Sequence, residues 1–351
     1  MPAWTWAAPV LAVCCLGATA VLGASPPVLI AATILLVTTV FASVHHGEIV
    51  AHRVGEPFGT LVLAVAVTII EVALVVSVML GGGPEKAALA RDTVFAAVML
   101  VCNGVVGLCL LLGGVRHREQ GFQIQGASGS LAVLAALTVL TLILPNYTSS
   151  APGPVFSVHQ LAFAGIVSLV LYGVFVFVQT VRHRDDFLAD EPEPSGPPPQ
   201  TSLVIWSAGL LILCLAAVVG LAKVLSPALE VTIAALGAPK AVVGIVIAAV
   251  VLLPEGLTAV RAARADRLQT SLNLALGSAL ASIGLTIPAV AVVSILSGTE
   301  LTLGLDSKDE ILLTLTLFTG VVTLGTGRTT VLQGAVHLTI FAVFLFLAIV
   351  P

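Results

Sequence analysis

Apolar stretches of 18 or more residues recur from one end of the chain to the other, separated by short polar segments. An α-helix needs about 20 such residues to cross the hydrocarbon core of a bilayer, so the pattern predicts a polytopic helical membrane protein. The expected spans are 3–23, 26–44, 57–81, 92–114, 128–145, 157–181, 201–222, 239–261, 270–297, 309–326 and 329–350. Residues 226–236 are too few to span, and they predict an interfacial or re-entrant piece before the eighth span.

Composition supports this fold class and excludes a soluble one. Of 351 residues, 58% are hydrophobic and only 9% are charged, against roughly 25% charged in soluble domains. The mean hydropathy is +1.13. The five cysteines all fall in apolar runs without a CxxC pair, which is typical of buried small side chains rather than disulfides. The first apolar run lacks a basic start, so we expect a retained helix rather than a signal peptide.

Positive charges divide unevenly between the two sets of loops. Nine lie on the side of the N-terminus: Arg53, Arg116, Arg118, Arg182, Arg184, Arg261, Arg264, Arg267 and Arg328. Five lie on the other side: Lys86, Arg91, Lys223, Lys240 and Lys308. Because cytoplasmic loops carry the excess of Lys and Arg, we expect a multi-pass protein of the inner (plasma) membrane with a cytoplasmic N-terminus and an external C-terminus.

The one soluble-looking stretch is residues 182–200, RHRDDFLADEPEPSGPPPQ, whose acids and prolines predict a flexible cytoplasmic linker. It separates an extra N-terminal helix (1–25) and a first five-span unit (26–181) from a second five-span unit (201–351). Five is an odd number, so the second unit enters the membrane from the opposite face. The sequence therefore predicts two inverted five-helix repeats, a common transporter plan.

Two carboxylates interrupt the apolar stretches, and the repeat relates them to each other. Glu71 lies in the second span of the first unit and Glu255 in the second span of the second unit. A charge inside a membrane is costly, which makes such a residue a functional candidate by default. Equivalent positions of an inverted repeat meet near the midplane, so we expect a metal-cation site built on both glutamates. A structural hydrogen bond or ion pair is the alternative for each.

Neutral oxygens lie nearby in the pattern. Thr68 is one turn before Glu71, and Pro254 precedes Glu255 and frees a backbone carbonyl. Further candidate ligands in the equivalent third spans are Asn103, Asn273, Ser278 and Ser282. Serine and threonine hydroxyls also bond their own helix, and Asn103 could instead join two helices.

An oxygen-rich, doubly acidic site suits Ca²⁺, or Na⁺ with fewer ligands. When it is empty, burial and mutual repulsion disfavour two ionised carboxylates. Its stable states are therefore cation-bound or protonated, and competition between the two is antiport.

Three long motifs, HGEIVAHRVGEPFGTLVLAVAVTIIEVAL, RDTVFAAVMLVCNGVVGLCLLLGG and LLPEGLTAVRAARADRLQTSLNLALGSALASIGLTIP, carry a family resemblance that extends over nearly the whole chain. The sequence resembles the bacterial ChaA-type calcium/proton antiporters of the calcium/cation antiporter superfamily, which includes the CAX and sodium/calcium exchangers. The resemblance implies one extra helix plus two inverted five-helix units. It also implies exchange of cytoplasmic Ca²⁺, Na⁺ or K⁺ for external protons.

The family's GNA(A/T)E-type motifs place their cation-binding glutamates at Glu71 and Glu255. Here the motifs read VTIIE and VLLPE, so the Gly-Asn-Ala portion is absent. A family glutamine falls on Ala281, whereas the family's Gly-Ser pair and asparagine are matched by Gly277, Ser278 and Asn103. The missing amides imply altered cation selectivity, toward monovalent ions.

A second polar cluster lies where the second span is expected to reach the cytoplasm. It contains His45, His46, Glu48, His52 and Glu56. Histidine titrates near neutrality, so we predict a cytoplasmic gate or pH sensor; a zinc site and a solvated loop are alternatives. His159 and His337 lie near span ends, where they could pack between helices or relay protons.

The sequence thus predicts a secondary cation/proton antiporter that works by alternating access. Its only partners would be the lipid bilayer and small inorganic cations; a resident cofactor and nucleic acid are not expected, and a homo-oligomer is left open. An intramembrane hydrolase would use the acid dyad differently, but GxGD, HExxH and GxSxG are absent. A cation channel is the other alternative.

Overall fold

The computed structural model describes residues 1–55, 58–80, 87–188, 199–235, 237, 239 and 241–350. Eleven helical segments in this part of the chain follow the eleven predicted spans in order. They are α1 (Ala3–Leu22), α2 (Pro26–Val54), α3 (Phe58–Leu80), α4 (Leu89–His117), α5 (Ile124–Tyr147), α6 (Val158–Arg182), α7 (Thr201–Ala235), α8 (Ala241–Arg264), α9 (Leu268–Ser297), α10 (Ser307–Leu324) and α11 (Val331–Ile349).

Eight of the described helices are long and apolar enough to cross a membrane, namely α2, α4 to α9 and α11. The prediction of an all-α polytopic membrane protein is confirmed. The only paired strands in the described ranges are β1 (Gln120–Gly121) and β2 (Arg328–Thr329), which pair antiparallel. Within the predicted linker, residues 189–198 lie outside the described part, as do Lys86 and Lys240 of the loop charges.

The prediction of a separate short piece at 226–236 was wrong. Up to Ala235 these residues continue α7, which runs for 35 residues through Pro227. A proline inside a helix removes one backbone hydrogen bond, and α7 nevertheless runs through Pro227 without ending. At 1.5 Å per residue, α7 extends about 50 Å, well beyond the ~30 Å hydrocarbon core.

Helix α2 also extends past its predicted end, from residue 44 to Val54. His52 and Arg53 lie in its last turn, where positive charge is favourable toward the negative end of the helix dipole.

The loops gather at two opposite ends of the bundle. At the end that contains most of the arginine-rich loops, the Gln120 side chain donates to the Ala263 carbonyl at 2.9 Å, and Gln269 accepts from the Gln123 amide at 2.7 Å. At the other end, Arg91 donates to the Gly304 carbonyl at 2.9 Å. This agrees with the predicted grouping of loops, whereas the side of the membrane that each end faces stays a prediction.

Helix α9 lies at the centre of the bundle. It contacts α3, α4, α5, α6 and α8, and more than half of its residues are buried. The packing is reciprocal between the two halves of the chain: α3 packs on α9, α8 packs on α4, and α2 packs on α7. The two helices that carry the glutamates are thereby held against central helices of the opposite half.

Three of the helices contain π-helical segments that the sequence did not predict. They are Leu100–Val105 in α4, Val139–Ile143 in α5 and Val178–Arg182 in α6. A π segment adds a residue to one turn and changes which side chains face a neighbour, and such segments are frequent at functional sites. The first of them contains Asn103.

Candidate cation site

Glu71 and Glu255 are both buried, with 2% and 7% of their surface exposed. Glu71 lies on α3 and Glu255 on α8, each surrounded along its helix by apolar residues. Both side chains reach the same central helix, α9. A buried carboxylate needs compensating partners, because its transfer out of water costs far more than that of a neutral group.

Two serines one turn apart on α9 supply those partners. The Ser282 hydroxyl donates to Oε1 of Glu71 at 2.5 Å, and the Ser278 hydroxyl donates to Oε2 of Glu255. Hydrogen bonds to an ionised group are roughly twice as strong as neutral ones. Since residues four apart on a helix are neighbours, the serines bring the carboxylates of the two halves to one place.

Thr68 is buried one turn before Glu71, as the sequence places it. Its hydroxyl donates to the Ala64 carbonyl at 2.8 Å, so the oxygen has only lone pairs left to offer. Pro254 has no N–H to donate to the Val250 carbonyl, and its own carbonyl accepts from Thr258 at 3.0 Å. The Thr68 hydroxyl oxygen and the Val250 carbonyl oxygen are therefore neutral hydrogen-bond acceptors on the helices that carry the glutamates.

The predicted ligand Asn103 is fully buried, but its amide is engaged by α10 and α11. Its nitrogen donates to the Thr316 hydroxyl at 2.8 Å, and its oxygen lies 3.1 Å from Nδ1 of His337. Thr316 in turn donates to the Leu312 carbonyl at 2.7 Å, and Nε2 of His337 lies 3.1 Å from the Thr323 hydroxyl.

These contacts define a set of donors and acceptors. Because the Asn103 oxygen can only accept, His337 carries its proton on Nδ1 and accepts from Thr323 at Nε2. The network joins three helices, which favours the helix-packing alternative for His337 over a proton relay. His159, the other histidine considered as a relay, is exposed at the start of α6.

Asn273 lies one turn before Gly277, at the arginine-rich end of α9. Its amide donates to the Phe187 carbonyl in the segment that follows α6, and its oxygen accepts from Gln269 at 3.0 Å. These contacts place it at the approach to the site.

A small cavity of about 30 Å³ connects Asn273 with Glu255. Its walls include Ser278 and, from α6, Tyr172 and Gln179. A volume of that size holds roughly one water molecule. The sequence did not single out Tyr172 or Gln179; the signal that could have found them is a polar group facing inward on an otherwise apolar span.

The histidine cluster packs partly against α1. His46 is buried with Nε2 3.1 Å from the Thr5 carbonyl, and the His45 ring contacts Trp4 at 6.1 Å between centroids. Glu48 and His52 are exposed on the last turns of α2, and Glu56 lies outside the described residues. No group of three or more His, Cys, Asp or Glu able to hold a metal occurs in the part of the chain that the structure describes, so the zinc alternative gains no support there.

A polytopic helical bundle with acidic side chains contributed by both halves is a plan that many secondary ion transporters use. The chain belongs to the sodium/calcium exchanger protein family, whose model matches residues 24–181 and 206–350. The members compared with it below are transporters, so the chain is not an intramembrane hydrolase.

Two relatives cover most of the chain. It is 54% identical to the "Putative ionic transporter y4hA" of Sinorhizobium fredii (strain NBRC 101917 / NGR234), over 100% of the chain and 97% of the relative. It is 34% identical to the "Sodium-potassium/proton antiporter ChaA" of Escherichia coli (strain K12), over 91% of the chain and 89% of the relative.

Among solved structures, the H⁺/Ca²⁺ exchanger CAX superposes with a TM-score of 0.74 at 17% identity, over 97% of this chain and 87% of that one. Native YfkE gives 0.71 at 14% identity, over 99% and 100%. At these identities the likeness concerns the fold.

Proposed function

We propose that this protein is a secondary antiporter of the plasma membrane that exports cytoplasmic Na⁺, K⁺ or Ca²⁺ in exchange for external protons. The observation that carries the proposal is the pair of buried carboxylates, one from each half, each hydrogen-bonded to a serine of the same central helix. The names of the relatives agree with it, because one is a sodium-potassium/proton antiporter and another, from Synechocystis sp. (strain ATCC 27184 / PCC 6803 / Kazusa), is a Ca²⁺/H⁺ antiporter.

The exchange follows from the chemistry of the pair. Two ionised carboxylates repel each other in a low dielectric; one Ca²⁺, two monovalent cations, or one monovalent cation together with one proton neutralises the pair, and two protons do the same. Protons from outside then displace the cation, and in either form the site is neutral enough to be carried between the two faces. Each displaced proton makes the apparent cation affinity rise by up to tenfold per pH unit.

The ligand set favours monovalent cations. The candidate oxygens, four from Glu71 and Glu255 and three hydroxyls from Thr68, Ser278 and Ser282, are numerous enough for Ca²⁺, which takes six to eight, so the preference rests on their kind rather than on their number. The Asn103 side-chain oxygen lies against His337. The position of the family's glutamine is occupied by Ala281, so amide oxygens are scarce. Export of Na⁺ and K⁺ with weaker Ca²⁺ exchange is therefore the expected order.

The division of the chain into an N-terminal helix (1–25), two inverted units (26–181 and 201–351) and a cytoplasmic linker is part of this proposal. The two segments matched by the family model support it, and so does the reciprocal packing of α3 on α9 and of α8 on α4. The N-terminus would lie in the cytoplasm and the C-terminus outside, with α2 and α7 moving relative to the central helices.

Everted membrane vesicles test the proposal. After a proton gradient is formed, NaCl, KCl and CaCl₂ are added separately and dissipation of the gradient is followed with a fluorescent pH probe. Glu71→Gln and Glu255→Gln should each lower the cation-dependent signal at least tenfold while the protein stays in the membrane. Asp185→Asn, at an exposed carboxylate, is the matched control.

Wild-type exchange by either glutamine variant would overturn the role of the pair. Cation flux that persists without any proton movement would indicate a channel instead.

A further inference from the structure

A wide apolar groove lies between α2, α7 and α8, apart from the cation site. Its volume is about 320 Å³. The walls are formed mainly by aliphatic side chains, including Leu29, Leu36, Leu225, Leu229, Ile247 and Val250. They come from the N-terminal half of α2, the C-terminal half of α7 and the N-terminal half of α8, so the groove lies in the half of the membrane away from the arginine-rich loops.

The few hydroxyl groups in the wall are already satisfied. Thr33 donates to the Leu29 carbonyl at 2.9 Å, and Thr232 donates to the Ala228 carbonyl at 2.7 Å. Ser226 donates to Glu230 at 3.3 Å. The groove therefore offers its occupant almost no free hydrogen-bond donors, so it favours an apolar occupant.

The groove is continuous with the lipid-facing surface. One of its wall residues, Ile30 on α2, is 63% exposed, and Val231, beside the wall on α7, is 69% exposed. Ile34, next to the groove on α2, is 59% exposed. In a bilayer these side chains face hydrocarbon, so an acyl chain reaches the groove sideways without crossing a polar barrier.

Water is an unfavourable occupant of this apolar volume, and an empty groove would leave its wall atoms without dispersion contacts. Apolar cavities stay dry, and a gap deprives its lining of dispersion contacts. An engineered apolar cavity of about 150 Å³ holds benzene, so roughly twice that volume has room for about a dozen carbon atoms. That volume accommodates the greater part of one acyl chain.

The floor of the groove leads to the helices that carry the glutamates. Leu74, one turn after Glu71, and Val251, one turn before Glu255, both line it. They pack with Ile70, Val40 and Val218 in one buried cluster. An occupant therefore touches α2 and α7 on its sides and, at its floor, residues one turn from both carboxylates.

We infer that this groove binds one acyl chain of a bilayer phospholipid. The bound chain packs α2 and α7 against α8 in the described arrangement, and it must leave or shift when these helices move. Binding of the acyl chain to the groove does not depend on the exchange activity proposed above. An effect of the bound lipid on the exchange rate does rest on that proposed function.

Photo-crosslinking tests the binding. The protein is reconstituted in phosphatidylethanolamine/phosphatidylglycerol vesicles that contain a trace of phosphatidylcholine with a diazirine midway along one acyl chain. After illumination, adducts are mapped by mass spectrometry. We expect groove residues such as Leu225 and Val250 to be labelled at least fivefold more than Ile212, which faces lipid on α7 outside the groove.

Filling the groove provides the matched comparison. Ala222 lines it, whereas Ala216 is exposed on the same helix outside it. Ala222→Phe should lower labelling of the groove at least fivefold, and Ala216→Phe should leave it unchanged. If Ala222→Phe fails to fold, as judged by gel filtration, Val246→Phe on α8 fills the same space.

Equal labelling in the wild type and the filled variant, or labelling no greater than at Ile212, would overturn the inference. So would crosslinks between two copies of the chain through the groove. If Ala222→Phe loses labelling but keeps normal exchange, lipid binding is supported and only its effect on transport is removed. If the glutamine variants lose exchange but keep normal labelling, the defect concerns the cation site alone.

Discussion

Ser282 and Glu71 are joined by a hydrogen bond of 2.5 Å although 211 positions separate them in the chain. The bond connects the second half of the chain to the carboxylate of the first half. Ser278 makes the corresponding bond to Glu255 from one turn earlier on the same helix. A single helix, α9, therefore holds both acids of the site, and the hydroxyls that it supplies stabilise them in the ionised form.

Removing the Ser282 hydroxyl should weaken cation binding. Ser282→Ala deletes a hydrogen bond to a charged group worth about 1.5–3 kcal/mol, so protons compete more strongly for Glu71. We expect the half-maximal cation concentration to rise roughly tenfold to a hundredfold in vesicle exchange assays, with the larger effect at low pH.

Ser294→Ala is the control for that variant. Ser294 is buried on the same helix, but its hydroxyl donates to the Thr299 carbonyl at 2.6 Å. If both variants showed the same half-maximal concentration, the Ser282 bond would have no part in binding.

Thr68 tests whether neutral acceptors share the site. Thr68→Val keeps the shape but removes the oxygen, whereas Thr68→Ser keeps the oxygen. Because this hydroxyl already donates to Ala64, only its lone pairs can serve a cation. We expect the valine variant to raise the half-maximal cation concentration by about tenfold and the serine variant to restore it within twofold. Equal values for both variants would exclude a ligand role.

Replacing Asn103 distinguishes two roles for its side chain, that of a cation ligand and that of a link between helices. Asn103→Leu leaves His337 Nδ1 without its partner, whereas the Thr316 hydroxyl keeps its bond to the Leu312 carbonyl. An unsatisfied buried polar group costs about 1–3 kcal/mol, so the variant should unfold at lower temperature. We expect its half-maximal cation concentration to stay within twofold of the wild type. A tenfold rise at unchanged thermal stability would instead support the ligand role that the sequence predicts.

Gly334 tests the close approach of α11 to α4. A Cβ at this position would lie 2.4 Å from the Leu111 backbone nitrogen, so Gly334→Ala must push the two helices apart. We expect a clear fall in the unfolding temperature together with lost exchange. Gly173→Ala is the control, because an added methyl group on this part of α6 would meet no described atom within 4 Å. It should be neutral or slightly stabilising, since alanine favours helix more than glycine does. Equal unfolding temperatures would contradict the packing argument.

The helices and the acid pair could be predicted because both follow from local patterns. Apolar length gives the spans, and an uncompensated charge inside a span marks Glu71 and Glu255. Ser278 and Ser282 could be named because they lie on a span equivalent by repeat to that of Asn103. Their assignment to particular glutamates depends on packing between distant helices, which a pattern along one chain does not contain.

The differences have physical causes. Asn103 lies in a π segment, where one extra residue in the turn redirects side chains, and its amide reaches α10 and α11. The 226–236 segment looked separate because it is short and contains Pro227, yet a helix tolerates one missing hydrogen bond. The small cavity and the groove lie between helices far apart in sequence, so their walls have no signature in any single span.

The small cavity beside the site borders Glu255 and Ser278, whereas Glu71 is not part of its wall. The two acids are thus alike in chemistry but differ in their access to this cavity. Under the proposed function, an ion or proton that enters through the cavity would meet Glu255 before Glu71, and one that departs would leave Glu71 first. Loading and release would then have a kinetic order, which would be reversed when the opposite face opens and the roles of the two halves are interchanged.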